Sequence, residues 1–311
     1  MFKPLEGKTL LVTGATGFIG SHLVERLRRV PGSRLILLSR HPSNLSAERI
    51  AQVTCDCQKL TSAVWQESGV SEIDYVFHLA AEIPKISTQD SSTVYHSNVK
   101  GTVALLESLP SVPEKFLLAS TLDVYAHIGH GQVLSEESPL RPHGHYSASK
   151  AQCETLVAET AVAQGFPYVA MRYGHIYGPG EQAYRKLIPE TIRRLLSGKP
   201  PVVHGDGSAE RDYLFVGDAV EATIRAACVD PVPAGPLNIV RGESCTIRDV
   251  VETLVQITAF AGSVQYLTDR PTGHSLRFDN SKMRKSLGEW PLVPLVEGLR
   301  REVADAQTQR E

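Results

Sequence analysis

The chain has 311 residues, 42% hydrophobic and 21% charged, with 32 Lys and Arg against 34 Asp and Glu for a formal net charge of −2. This balance suits one large globular domain plus a lobe, and without a basic block it argues against nucleic acid as a partner. No apolar stretch approaches the ~20 residues that span a bilayer, Met1-Phe2-Lys3-Pro4-Leu5-Glu6 lacks the apolar centre of a signal peptide, and the five cysteines have no framework spacing, so a cytoplasmic protein without membrane contact is expected.

The first predicted element is a buried strand over residues 9–13. It leads through Thr13-Gly14-Ala15-Thr16-Gly17-Phe18-Ile19-Gly20 into a helix over 18–29. Strand, glycine turn and helix together present backbone N–H groups to a pyrophosphate. The glycines supply a tight turn, close backbone approach and helix–strand packing. Gly14, Thr16, Gly17, Phe18, Ile19 and Gly20 are therefore the first cofactor-binding candidates.

The second strand, 34–38, ends in Leu38-Ser39-Arg40-His41. The carboxylate that holds the ribose 2′-hydroxyl of NAD, ~20 residues after the glycines, is missing there. Ser39 can hydrogen-bond a 2′-phosphate, and Arg40 can pair with one or stack on the adenine, which favours NADP over NAD. The plain alternative is an Arg40 that points into solvent. Cys55-Asp56-Cys57 has no second cluster and makes a poor zinc site, so no metal is expected.

Strands over 52–54, 74–79, 115–120 and 168–172 alternate with helices over 60–67, 91–109 and 147–163. Such βαβ alternation predicts an α/β fold, a doubly wound parallel sheet of the Rossmann type. The strand Phe116-Leu117-Leu118-Ala119-Ser120-Thr121 ends in hydroxyls. Tyr146-Ser147-Ala148-Ser149-Lys150 places a phenol and an ammonium four residues apart, on one face of a helix. After Arg172, closely spaced Gly and Pro punctuate short elements. Pro236-Leu237-Asn238-Ile239-Val240 reads as a strand returning to the main sheet, and 247–259 and 295–304 have helical spacing. The expected division is a dinucleotide-binding domain over 1–173 and a smaller, interleaved substrate lobe over 174–311.

In this order, the glycine turn, the hydroxyl-tipped strand and the Tyr/Lys pair resemble the extended short-chain dehydrogenases/reductases. These are the NAD(P)-dependent nucleotide-sugar epimerases, dehydratases and reductases. The resemblance runs from Thr9 to about Arg300. It implies a general acid/base in Tyr146. A free phenol has a pKa of ~10, and the neighbouring Lys150 ammonium favours its ionised form. Lys150 would also hold the nicotinamide ribose. Thr121, four residues before the Tyr of Val124-Tyr125-Ala126, would hydrogen-bond the substrate oxygen, with Ser120 a weaker candidate.

The same resemblance assigns Asp56 to the adenine and Leu79, Ala80 and Ala81 to the cofactor wall. It makes Asn98 an ordering residue of the site, although as a bare feature Asn98 reads equally as a helix-surface amide. Arg172-Tyr173-Gly174-His175-Ile176-Tyr177-Gly178-Pro179-Gly180 corresponds to a substrate segment in which His175 replaces the usual asparagine. Gly205-Asp206-Gly207-Ser208-Ala209-Glu210-Arg211-Asp212 and Arg270-Pro271-Thr272-Gly273-His274 bring Arg211 and Arg270 to a substrate diphosphate. Each arginine taken alone reads equally as a surface ion pair.

The implied partner is a nucleotide-diphosphate sugar. A homodimer is also implied, through two helices per subunit, with small residues Ala148, Ala151 and Ala158 on one of them. Asp123 stands where dehydratases and decarboxylases place a glutamate base, and Leu122 where hexose dehydratases place an acid. The expected reaction is 4-epimerisation, with single reduction of a 4-keto sugar, or dehydration or decarboxylation through Asp123, as alternatives. From other classes, a non-sugar carbonyl reductase and a non-catalytic dinucleotide-binding protein remain open.

Overall fold

The computed structural model describes residues 2–42, 45, 47–83, 91–126, 132–181, 186–267 and 273–310. The first half alternates strand and helix: β1 (Thr9–Thr13), α1 (Phe18–Leu27), β2 (Arg34–Ser39), β3 (Ile50–Thr54), α2 (Ser62–Glu67), β4 (Tyr75–His78), α3 (Ser91–Ser108), β5 (Lys115–Thr121), the short β6 (Val133–Leu134), α4 (His145–Gln164) and β7 (Tyr168–Tyr173). The second half runs β8 (His175–Tyr177), α5 (Leu187–Leu196), β9 (Val202–His204), β10 (Glu210–Phe215), α6 (Val216–Cys228), β11 (Gly235–Ile239), β12 (Ser244–Thr246), α7 (Ile247–Ile257), β13 (Gln265–Leu267), β14 (Arg277–Phe278), α8 (Ser281–Leu287) and α9 (Leu295–Thr308).

The main sheet has seven strands in the order β11-β7-β5-β4-β1-β2-β3, and every pairing in it is parallel. The doubly wound α/β architecture read from the sequence is present. Alternate strand residues point to opposite faces of the sheet. Leu10, Val12, Leu35, Leu37 and Phe77 pack with Leu23 and Leu27 of α1 and Ala219 and Ala222 of α6. Leu11, Ile36, Leu38, Val76 and Phe116 pack with Trp65 of α2, Leu105 of α3 and Val157 of α4. Full burial of each such aliphatic side chain contributes ~1.5–3 kcal/mol. The Trp65 indole N–H, which lies in this layer, donates to Ser108 Oγ at 3.1 Å.

The strand order reverses between β1 and β4, and parallel α/β sheets open their ligand crevice at such a point, beyond the carboxyl ends of the strands. The returning strand lies where expected, as β11, paired with β7. A second, three-stranded sheet has the order β12-β10-β8. Three helices, α5, α6 and α8, fall in stretches where no helix is expected from the sequence. α6 follows β10 without a break and packs against α1 and the main sheet. No helix among the described residues is long and apolar enough to cross a membrane.

Candidate active site

The glycine turn has the geometry its sequence demands. Gly14 has φ +68°, and a Cβ there would lie 2.7 Å from the Ala80 amide nitrogen and 2.8 Å from the Leu79 carbonyl carbon. A Cβ on Gly20 would come within 2.1 Å of the Gly14 carbonyl oxygen. The turn is therefore pressed against the end of β4 on one side and α1 on the other. Gly17 precedes α1 and no side chain caps that helix, so its first N–H groups are open to an anion. Thr16 is exposed, and Phe18 and Ile19 are half-buried in the first turn. These are features a dinucleotide pyrophosphate requires, and the residues present fit it.

The facing wall is built from hydrogen bonds. The Ala80 amide donates to Thr13 Oγ1 at 3.0 Å. Thr13 Oγ1 lies 2.8 Å from His78 Nδ1, and His78 Nε2 lies 3.0 Å from Thr102 Oγ1. Because Thr102 Oγ1 donates to the Asn98 carbonyl at 2.9 Å, its lone pairs accept from His78 Nε2–H, and His78 Nδ1 accepts from Thr13. A neutral ring satisfies both bonds, and burial, helped by the Lys150 charge, pushes the His78 pKa down to about 3. Asn98 accepts the Glu82 amide at 2.7 Å and donates to the Glu82 carbonyl at 3.1 Å and to Ser149 Oγ at 2.9 Å. It ties α3, the segment after β4 and the start of α4 together, and is no surface amide.

At the end of β2, Ser39 Oγ donates to the His41 carbonyl at 2.6 Å, and Arg40 pairs with Glu82 at 3.1 Å. The Asp56 carboxylate accepts the Gln58 amide at 3.0 Å and caps the turn that follows it. Leu79, Ala80 and Ala81 are half-buried beyond β4. Cys55 and Cys57 are free thiols.

Tyr146 is half-buried in the first turn of α4, and its carbonyl accepts from Ser149 Oγ at 2.7 Å. Lys150, one turn on, is only 2% exposed. Burial lowers its pKa, against the opposing pull of Cys153, Glu154 and Cys57. Among the described residues its ammonium has no hydrogen-bond or ion-pair partner. Thr121, 9% exposed, ends β5 and accepts the Asp123 amide at 3.2 Å. Asp123 itself is exposed, and no described residue pairs with its carboxylate.

Ser120 points the other way. It donates in a short hydrogen bond to Glu154, one turn beyond Lys150 on α4. Glu154 takes a bidentate pair from Arg172 of β7 at 3.0 and 2.7 Å. Arg172 donates on to the Tyr125 hydroxyl at 2.9 Å, which donates to Asn238 of β11 at 2.6 Å. This buried chain fixes α4, and with it Tyr146 and Lys150, against β5, β7 and β11. The sequence reading missed it. Its one visible signal was an arginine at the end of an apolar strand, since a buried guanidinium demands a partner.

In the lobe, His175 of β8 is the Cα partner of Tyr213 in β10, with ring centroids 5.7 Å apart. Arg211 lies two residues before Tyr213, on the same face of β10. Its Nη1 donates to the carbonyls of Glu210 at 2.7 Å and His274 at 2.5 Å. Arg270 lies outside the described residues.

Residues 10–238 match the family model described as the NAD dependent epimerase/dehydratase family. The chain is 34% identical over 309 residues to a dTDP-glucose 4,6-dehydratase of Streptomyces griseus, covering 95% of this chain and 93% of that protein. It superimposes on the UDP-glucose 4-epimerase of Thermotoga maritima, solved with UDP-glucose, with a TM-score of 0.85 and 26% identity over 97% of this chain and 100% of that one. It also superimposes on the UDP-glucuronic acid 4-epimerase of Bacillus cereus, solved with UDP-glucuronic acid and NAD, with a TM-score of 0.84 and 26% identity over 97% and 99% of the two chains. Strand order, glycine turn and matched sequence agree: the chain belongs to the NAD-dependent epimerase/dehydratase family of nucleotide-sugar enzymes.

Proposed function

We propose that this protein is a C4 epimerase of a nucleotide-diphosphate sugar. The observation that carries the reading is Lys150, a buried ammonium without a partner among the described residues, one helical turn from Tyr146. The bound dinucleotide supplies the acceptance and return of a hydride. Tyr146 takes the proton of the sugar 4-hydroxyl and gives it back, and Lys150 stabilises the phenolate meanwhile. Thr121 holds the 4-oxygen through its hydroxyl, and Arg211 binds the diphosphate.

Leu122 supports epimerisation over 4,6-dehydration. It is 6% exposed and belongs to an apolar cluster with Val124, Leu134 and Val240, so an acid is missing from that position. A second reading, proton removal by Asp123 as in a dehydratase, draws support from the exposed, unpaired carboxylate and from the dehydratase relative.

The test is incubation with NAD or NADP and either UDP-glucose or dTDP-glucose in D₂O, read by NMR. Epimerisation gives the C4 epimer with no deuterium on carbon, whereas deuterium at C5, lost in Asp123→Asn, establishes the second reading. Tyr146→Phe is expected to lower kcat by ~10²–10⁴-fold with NAD binding intact, and a near-normal kcat removes Tyr146 from the chemistry.

The reading extends to cofactor choice and assembly. β2 ends without a carboxylate of its own to repel a 2′-phosphate, and Arg40, which a 2′-phosphate would draw from its pair with Glu82, is the cation at that end, so NADP(H) is expected to bind tighter than NAD(H). Arg40→Ala is expected to weaken NADP(H) alone, and equal losses for both cofactors refute that role. A homodimer through α3 and α4, on which Val162 is 85% exposed, is checked by sedimentation.

A further inference from the structure

The half-buried His175 ring turns one nitrogen into the protein with nothing there to bond. Its Nδ1 has no hydrogen-bond partner, although unpaired buried polar groups cost ~1–3 kcal/mol each. The ring lies edge-on to Tyr213, at an interplanar angle of 61°. Arg211 stands on the same strand face as Tyr213, and its only acceptors among the described residues are the two neutral carbonyls of Glu210 and His274. Its charge is therefore not cancelled by any described carboxylate.

The other ionisable groups at the ring and its neighbour Tyr213 are Lys186 ahead of α5, Glu181 just beyond β8 and Cys245 of β12, with Tyr177 of β8 edge-on to Tyr213. Lys186 and Glu181 pair with each other at 2.8 Å. Glu302 of α9 lies beyond Tyr177. Burial first, then Arg211 and Lys186, hold the His175 pKa down to about 4. Near neutral pH the imidazole is uncharged.

We propose that His175 takes up a proton when a nucleotide sugar binds, becoming a second cation beside Arg211 for the diphosphate. The inference rests on the reading above that the diphosphate sits at Arg211. A diphosphate diester carries two negative charges and Arg211 one positive charge. Binding therefore reverses the sign of the charge that faces His175, and a nearby opposite charge favours the protonated ring. The proton comes from the buffer and returns to it on dissociation. No substrate bond changes and no electrons move. Substrate affinity then rises as pH falls, because the bound state holds a proton the free state lacks.

Calorimetry of UDP-glucose and dTDP-glucose binding, in buffers of different ionisation enthalpy, counts the protons. A Tyr146→Phe background prevents turnover. The expected result at about pH 6 is uptake of roughly half to three-quarters of a proton per ligand, with affinity about two- to three-fold tighter than at pH 7. In His175→Asn both the uptake and the pH dependence vanish, whatever its affinity. ¹⁵N chemical shifts of the wild-type imidazole read the same protonation directly and do not depend on how the variant folds. Binding without uptake, or uptake that persists in His175→Asn, overturns the inference and leaves the sugar-nucleotide reading intact. Failure of both sugar nucleotides to bind the wild type overturns the two together.

Discussion

The two halves of the molecule treat buried polar groups differently. On the dinucleotide side, His78, Asn98, Ser120, Glu154 and Arg172 each find a partner within the protein. On the far side, His175 Nδ1, Glu181 Oε2 and both carboxylate oxygens of Glu302 find none among the described residues, and on the dinucleotide side the Lys150 ammonium is the exception, buried and likewise without a partner among them. A fully bonded polar network rigidifies its surroundings, whereas an unbonded group stays costly until a ligand or a proton answers it. The difference teaches that the first half is held by bonds made within the protein, with Lys150 left open to a ligand, while the second half keeps several buried acids and a ring nitrogen open to one.

The most severe way to break the contrast is to cut the bonded network. Glu154→Ala or Arg172→Ala leaves the other charge buried without its partner, and a loss of ~3–5 kcal/mol is expected from urea unfolding. A loss below ~1 kcal/mol would mean the network is no anchor for α4. The cofactor affinity of a folded variant should fall with it, because Lys150 sits one turn away.

Glu302 sharpens the other side. Burial, then the neighbouring Glu181, pushes its pKa up to about 9. The folded protein therefore holds a proton that the unfolded chain, with an ordinary carboxylate pKa of ~4.3, releases. That stability is fully present below about pH 4 and is lost as pH rises towards 9, a fall on the order of a few kcal/mol. Glu302→Gln mimics the protonated acid and should flatten the decline in unfolding curves measured from pH 6 to 9. An unchanged slope would assign the pH dependence elsewhere.

The smallest effect separates two glycines. Gly20→Ala must push the Gly14 carbonyl, 2.1 Å from the new methyl, out of the turn, whereas Gly144 has nothing within 4 Å of an added Cβ. Gly20→Ala is expected to cost ~1–3 kcal/mol and to weaken NAD binding. Gly144→Ala should stay within ~0.5 kcal/mol. Equal costs in thermal unfolding would show that the turn is not close-packed.

What could be read beforehand follows the range of the interactions. β1, the glycine turn and α1 are consecutive, and Tyr146 and Lys150 share a helix face, so local spacing revealed them. α6 was invisible because β10 passes straight into it, with Phe215 at the junction and no side-chain cap to mark the start. α5 carries Pro189 in its first turn, amid glycines and prolines that read as loop. The Glu154–Arg172 pair joins residues 18 apart on a helix and a strand, and its extension to Asn238 crosses 113 residues from Tyr125. No local pattern encodes such distances. The missing carboxylate after β2 was legible, but the turning of Ser39 towards His41 and of Arg40 towards Glu82 was not.

The placement of β11 has a consequence for how the chain is made. β11 closes the outer edge of β7, yet β8, α5, β9, β10 and α6 intervene between the two in the chain. At ribosomal rates of ~5–20 residues per second, β7 waits roughly 3–13 s for its neighbour. During that interval the nascent sheet presents an apolar, unpaired edge to the crowded cell, the kind of surface that recruits other strands. Slow codons between residues 174 and 234 would lengthen that exposure.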